Sequence, residues 1–147
     1  VFWTCLLVFL LLLLAAALER LTQRPFLATR TGETLALLLR GRRLGAHLFE
    51  VPGLPAVGFR AAAQTWGETV LVTPGLLAHP RGARTLAHEA CHVAQYRRLG
   101  SFRFWGVYLA GWLRGLVVTR SAFRAYWELP LEREARRAAE KVDEKAV

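Results

Sequence analysis

From Val1 to Leu18 the chain reads VFWTCLLVFLLLLLAAAL without a single charged side chain. As an α-helix this run extends about 27 Å, near the hydrocarbon thickness of a bilayer. So long an apolar helix must be covered by protein or by lipid, and a chain of 147 residues has room for only one compact domain beside it. The run is therefore read as a membrane segment, 1–18, followed by a domain over 19–147. A cleaved secretory signal is the rival. Ala15, Ala16 and Ala17 have the right size for it, but a basic n-region is missing and the apolar run is longer than a signal core.

The charge pattern points the same way. Formal net charge is +9, and Arg20, Arg24, Arg30, Arg40, Arg42 and Arg43 follow the apolar run directly. By the positive-inside rule this flank, and the domain with it, is expected in the cytoplasm; a secreted or periplasmic domain is the alternative. Such a surface attracts anionic lipid headgroups, so membrane lipid is an expected partner. Nucleic acid is not, because the chain carries no zinc finger, RNA-binding aromatic signature or helix-turn-helix pattern. Hydrophobic residues make up 54 % and charged residues 21 %, which excludes a disordered polar chain.

The chemistry concentrates in Thr85 to Gly100, TLAHEACHVAQYRRLG. Residues four apart share a helix face with about 6 Å of rise, so His88 and His92 can converge on one cation while Glu89 stands beside it. Two neutral imidazoles suit zinc, which in catalytic sites keeps three protein ligands and a water whose pKa falls to about 7. Glu89 is placed to take that water's proton. Cys91 lies about 60° round the same helix from His88 and is read as a small packing thiol. It cannot pair with Cys5, the other cysteine, which lies in the apolar run, so no disulfide is expected. His47 and His79 are read as surface or packing histidines.

Around the motif the expected elements are short. Leu21 to Thr31 reads as a connector broken by Pro25, Glu33 to Arg40 as a short helix, and the Gly- and Pro-rich stretch from Gly41 to Gly58 as turns and short strands. Ala56–Ala63 and Glu68–Thr73 are expected to be two antiparallel strands joined at Trp66-Gly67. A helical turn is expected over Leu76 to Ala78. The motif helix should end at Gly100, with Arg97 and Arg98 at the negative end of its dipole. Ser101 to Val118 is expected to be a packed core helix, with an interfacial helix as the alternative. Leu131 to Val142 forms a strong helix sequence starting at Pro130.

A hydrolytic zinc held by two histidines needs a third protein ligand, and Glu128, Glu132 and Glu134 are the candidates. His88-Glu89-x-x-His92 followed some forty residues later by Glu132-Arg133-Glu134-Ala135 resembles the glutamate zincins, or gluzincins. The pattern is most similar to small minigluzincin-like domains and HtpX-type membrane peptidases. The resemblance implies that Glu132 is the third zinc ligand and Ala135 the small residue that follows it. Arg136 departs from the pattern, which usually has an Asp there to orient a ligating imidazole.

The implied fold is α+β: a small zincin-like domain with a short antiparallel sheet, an HExxH helix and a later Glu-bearing helix, behind an N-terminal transmembrane helix. The implied activity is zinc-dependent hydrolysis of peptide or protein substrates by a membrane-anchored metallopeptidase. His88, His92 and Glu132 would be its ligands and Glu89 its general base. Tyr96, Tyr126 and His79 are candidates to stabilise the oxyanion, and substrate is expected to add to the strand Glu68–Thr73. A non-catalytic, membrane-anchored zinc-binding adaptor is the alternative.

Overall fold

The structure, a computed structural model, describes residues 2–54 and 61–145. Helix α1, Phe2–Thr22, contains the apolar run, and the rest of the described chain leaves its leucines from Leu6 to Leu14 exposed. Its last turns behave differently. Glu19, only 1 % exposed, accepts hydrogen bonds from Leu27 N at 2.8 Å, Ser101 N at 2.6 Å and Ser101 Oγ at 2.8 Å. The end of α1 is thus tied to the first turns of two later helices, where a carboxylate suits the exposed N–H groups.

The expected connector over Leu21 to Thr31 shrinks to three residues. Helix α2, Phe26–Leu38, starts directly after Pro25, whose fixed φ suits the entry to a helix. It then lies on a four-stranded sheet. The contact needs Gly32, since a Cβ there would stand 2.6 Å from the Cβ of Trp66 and 2.9 Å from that of Thr69. Thr29 joins the same contact, its hydroxyl accepting from Glu68 N at 2.9 Å.

The strands are β1 (Arg42–Arg43), β2 (Leu48–Glu50), β3 (Ala63–Trp66) and β4 (Thr69–Val72), in the order β1-β2-β4-β3. The sheet is mixed, contrary to the expected antiparallel one. β1/β2 and β3/β4 are antiparallel, but β2 runs parallel to β4, with Leu48 opposite Val70. The predicted hairpin exists, its turn at Gly67 and Glu68 with Gly67 at φ +65°. Its first described strand begins at Ala63, residues 61 and 62 are not strand, and the remainder of the predicted span, 56–60, lies outside the described residues. Ala36, Phe49, Val51 and Leu71 form the apolar layer between α2 and the sheet.

A 3-10 turn at Leu76–Ala78 leads into α3, Gly82–Leu99, which carries the motif and ends at Gly100 with φ +75°. Helix α4, Ser101–Thr119, follows at once, then α5, Ala122–Trp127, and α6, Pro130–Lys145. Helix α4 is not the fully packed helix first expected. Ser101 and Phe104 are its only buried residues, and Gly111 and Gly115 bring one face against Leu129 and Ala125. The chain is therefore α+β, mostly helical, with one small sheet and one free apolar helix.

Candidate metal centre

Helices α3 and α6 build the site. On α3 the i, i+4 spacing stacks His88 over His92, with Nε2 atoms 3.1 Å apart. From α6, Glu132 enters between them. Its Oε2 lies 3.2 Å from His88 Nε2 and its Oε1 lies 3.4 Å from His92 Nε2. Ligands about 2.0–2.1 Å from a tetrahedral zinc stand about 3.3 Å from one another. The observed triangle has that size, so these three residues fit a zinc ion with the fourth position open.

The tautomer fits as well. Gln95, one turn beyond His92 and 1 % exposed, uses its amide N–H groups on Leu131 O at 2.9 Å and Glu134 Oε2 at 3.0 Å. Its Oε1 is left to accept, and it lies 2.8 Å from His92 Nδ1. Gln95 Oε1 is thus placed to accept from His92 Nδ1–H, the tautomer that a metal at Nε2 requires. Gln95 therefore holds the His92 ring in place, where the resemblance implies an Asp on the later helix. Arg136, at that Asp's position, turns away: its guanidinium lies 4.0 Å over the Trp127 ring and donates to the Trp127 carbonyl.

Glu132 is buried and closely held. Tyr108 Oη donates to its Oε1 at 2.9 Å, and Tyr126 Oη to its Oε2 at 3.0 Å. Burial alone would raise its pKa, but His88 and His92 outweigh that and hold the carboxyl well below the ordinary range. The other two carboxylate candidates are elsewhere. Glu128 is exposed at the end of α5, and Glu134 bonds Arg98 and Gln95.

Glu89 lies beside the ligands, on the side of β3. Thr65 Oγ1 donates to its Oε2 at 2.6 Å. Burial pushes this carboxyl above its ordinary range, against the opposing pull of His92, Thr65 and His88. A buried, basic carboxylate with one oxygen anchored is suited to taking a proton. A cavity of about 390 Å³ opens beside His88, with Arg81, Arg84, Thr85 and Arg136 in its lining.

Among the oxyanion candidates, only Tyr126 reaches the site. Tyr96 is buried and stacks on Phe104 at 3.7 Å, and its hydroxyl has no hydrogen-bond partner among the described residues. His79 Nδ1 accepts from Arg81 N at 3.1 Å at the end of the 3-10 turn. His47 sits between Glu33 and Glu68, and Cys91 is half-buried with Gln95 Nε2 3.7 Å from its sulfur. Strand β4, the expected substrate edge, is interior, because β2 covers its second side. Among the described residues, the open edge beside the site belongs to β3.

Gln95, Thr65 and Tyr108 are absent from the sequence-based assignment. For Gln95 a signal exists: an amide three residues after the second histidine falls on the ligand face of the helix. Thr65 and Tyr108 reach the site only through tertiary packing. No protein-family model, curated protein or solved structure matches this chain.

Proposed function

We propose that this protein is a membrane-anchored, zinc-dependent peptidase of the gluzincin type. The observation that carries the reading is the triangle of His88, His92 and Glu132, sized for zinc, with the buried Glu89 carboxylate beside it. When bound, zinc would supply Lewis-acid polarisation of the scissile carbonyl and acidify the attacking water. The chain's own groups do the rest. Glu89 takes the proton of that water and delivers it to the leaving amine, while Thr65 keeps the carboxylate from turning away. Gln95 keeps the His92 proton on Nδ1, and Tyr108 and Tyr126 hold Glu132 in place.

The geometry of β3 supports a peptide as substrate. Thr73 N donates to Ala62 O at 2.9 Å, and pairing alternates along the hairpin, so the backbone groups of Ala63 and Thr65 face away from β4. An extended peptide can add to that edge directly beside Glu89. Helix α1 is the anchor in this reading, supported by Glu19, which belongs to α1 and to the domain at once. The arginines that follow it favour a cytoplasmic domain, and a C-terminal reporter active only outside the cytoplasm should stay silent.

The test is a comparison of wild type, Glu89→Gln and His88→Ala for zinc content and peptide hydrolysis. Zinc retained in Glu89→Gln with activity lost by about 10²-fold or more is expected. Undiminished zinc in His88→Ala removes the metal centre. Stoichiometric zinc in wild type without hydrolysis of any peptide in a library leaves the adaptor.

A further inference from the structure

Helix α4 has two unlike faces. Phe104, Tyr108, Gly111 and Gly115 turn inward, where Tyr108 reaches Glu132 and the glycines meet α5 and the start of α6. Phe102, Trp105, Leu109, Leu113 and Val117 fall within a quarter to a third of the helix circumference on the other face and are exposed. Such a stripe needs a cover.

Three observations select what covers it. The first turn of α4 is fastened to the end of α1 by the bonds from Ser101 N and Oγ to Glu19, so α4 begins where the apolar helix ends. Helix α4 then diverges from α1, since the leucines of α1 from Leu6 to Leu14 are left bare. From Ser101 to Trp127 the chain has four arginines, Arg103, Arg114, Arg120 and Arg124, and no acidic residue. A stripe of Phe, Trp, Leu and Val flanked only by cations suits anionic lipid, in which the ring of Trp105 lies at headgroup level and arginines extend towards phosphates.

We infer that the outer face of α4 lies in the headgroup and upper acyl region of the same bilayer that α1 crosses, so the domain rests on the membrane along this helix. Tyr108 occupies the inner face of the same helix, which puts the metal centre about one helix diameter, ~10 Å, from lipid. The inference rests on the anchor reading of α1 and is independent of the zinc reading.

Full-length protein carrying Cys5→Ser and Cys91→Ser tests it. Single cysteines are introduced in turn at Leu10, Leu109, Leu113, Val117 and the exposed Glu140, and labelled with a nitroxide. The protein is reconstituted in vesicles of phosphatidylcholine with phosphatidylglycerol, and collision with oxygen and with a water-soluble nickel chelate is measured. The expected oxygen-to-nickel ratio is several-fold higher at 109, 113 and 117 than at 140, and higher still at 10. Ratios at 109, 113 and 117 equal to that at 140 overturn the inference while a high ratio at 10 keeps the anchor. Shielding of the three sites from both reagents assigns the face to a protein contact, a second copy or another chain, and also overturns it. An aqueous ratio at 10 removes the anchor and this inference together.

Discussion

Gln95 is where the site is most exposed to refutation. Replacing it by Leu keeps the size of the side chain but leaves His92 Nδ1–H without its acceptor, while the Leu131 carbonyl loses only a second donor and keeps its helical one. The orphaned imidazole N–H is buried, so the metal-free protein should lose about 1–3 kcal/mol of stability. The effect on metal is separate. Loss of a partner that orients a ligating imidazole lowers affinity about 10–100-fold, equivalent to about 1.4–2.8 kcal/mol. Competition with a chromophoric zinc chelator reads the affinity, and thermal unfolding without metal reads the stability. Gln95→Glu separates the two. Its carboxylate still accepts from His92, so zinc affinity should remain within a few-fold of wild type, whereas the lost donors and the repulsion from Glu134 lower stability. If Gln95→Leu binds zinc as tightly as wild type while His92→Ala does not, Gln95 has no role in orienting the ligand.

Other substitutions probe the remaining supports. Thr65→Val removes the hydroxyl from Glu89 and is expected to lower kcat/KM about tenfold with zinc content unchanged; loss of zinc instead would move Thr65 from base to ligands. Tyr108→Phe with Tyr126→Phe frees both Glu132 oxygens, and zinc affinity in the competition assay should fall about 10–100-fold, with unchanged affinity refuting the holding role. Glu19→Ala strips three hydrogen bonds from a buried junction and should cost roughly 3 kcal/mol in detergent unfolding, while Glu19→Gln, which keeps an acceptor, should cost less. Tyr96→Phe deletes a buried hydroxyl that has no partner among the described residues, so its melting temperature should equal or exceed that of wild type; a clear drop would reveal a partner for that oxygen.

What could be read from sequence was local or strongly periodic. The apolar run, the i, i+4 histidines, the Gly100 cap and the Pro130 start each depend on a few neighbouring residues, and each falls where expected. Glu132 needed more. On pattern alone it was one of three carboxylates, and the resemblance selected it; the geometry brings this one to the histidines because Leu131 and Ala135 bury the same face of α6. The parallel pairing of β2 with β4 was not legible, since β2 is three residues long and its partner comes some twenty residues later. That pairing is also what moved the open edge from β4 to β3. The extent of α2 was missed because Pro25 read as a break, although the same residue serves as a helix start.

Arg136, where the resemblance implies an Asp, counts against the proposed centre only if the orienting group must come from α6. In the proposed centre it comes from α3, so one helix carries both histidines, the proposed base and the amide bonded to His92 Nδ1. The stacking of the two histidines and the reach of Gln95 to His92 are set by helical spacing, while Thr65 and α6 fix the Glu89 carboxylate and the Gln95 amide. Tertiary structure then has one ligand left to deliver. It delivers Glu132 on α6 and holds it with hydroxyls from α4 and α5, which frees position 136 to stack on Trp127 and fasten α6 to the end of α5. A small domain can complete a three-ligand centre in this way because most of the centre is local to one helix.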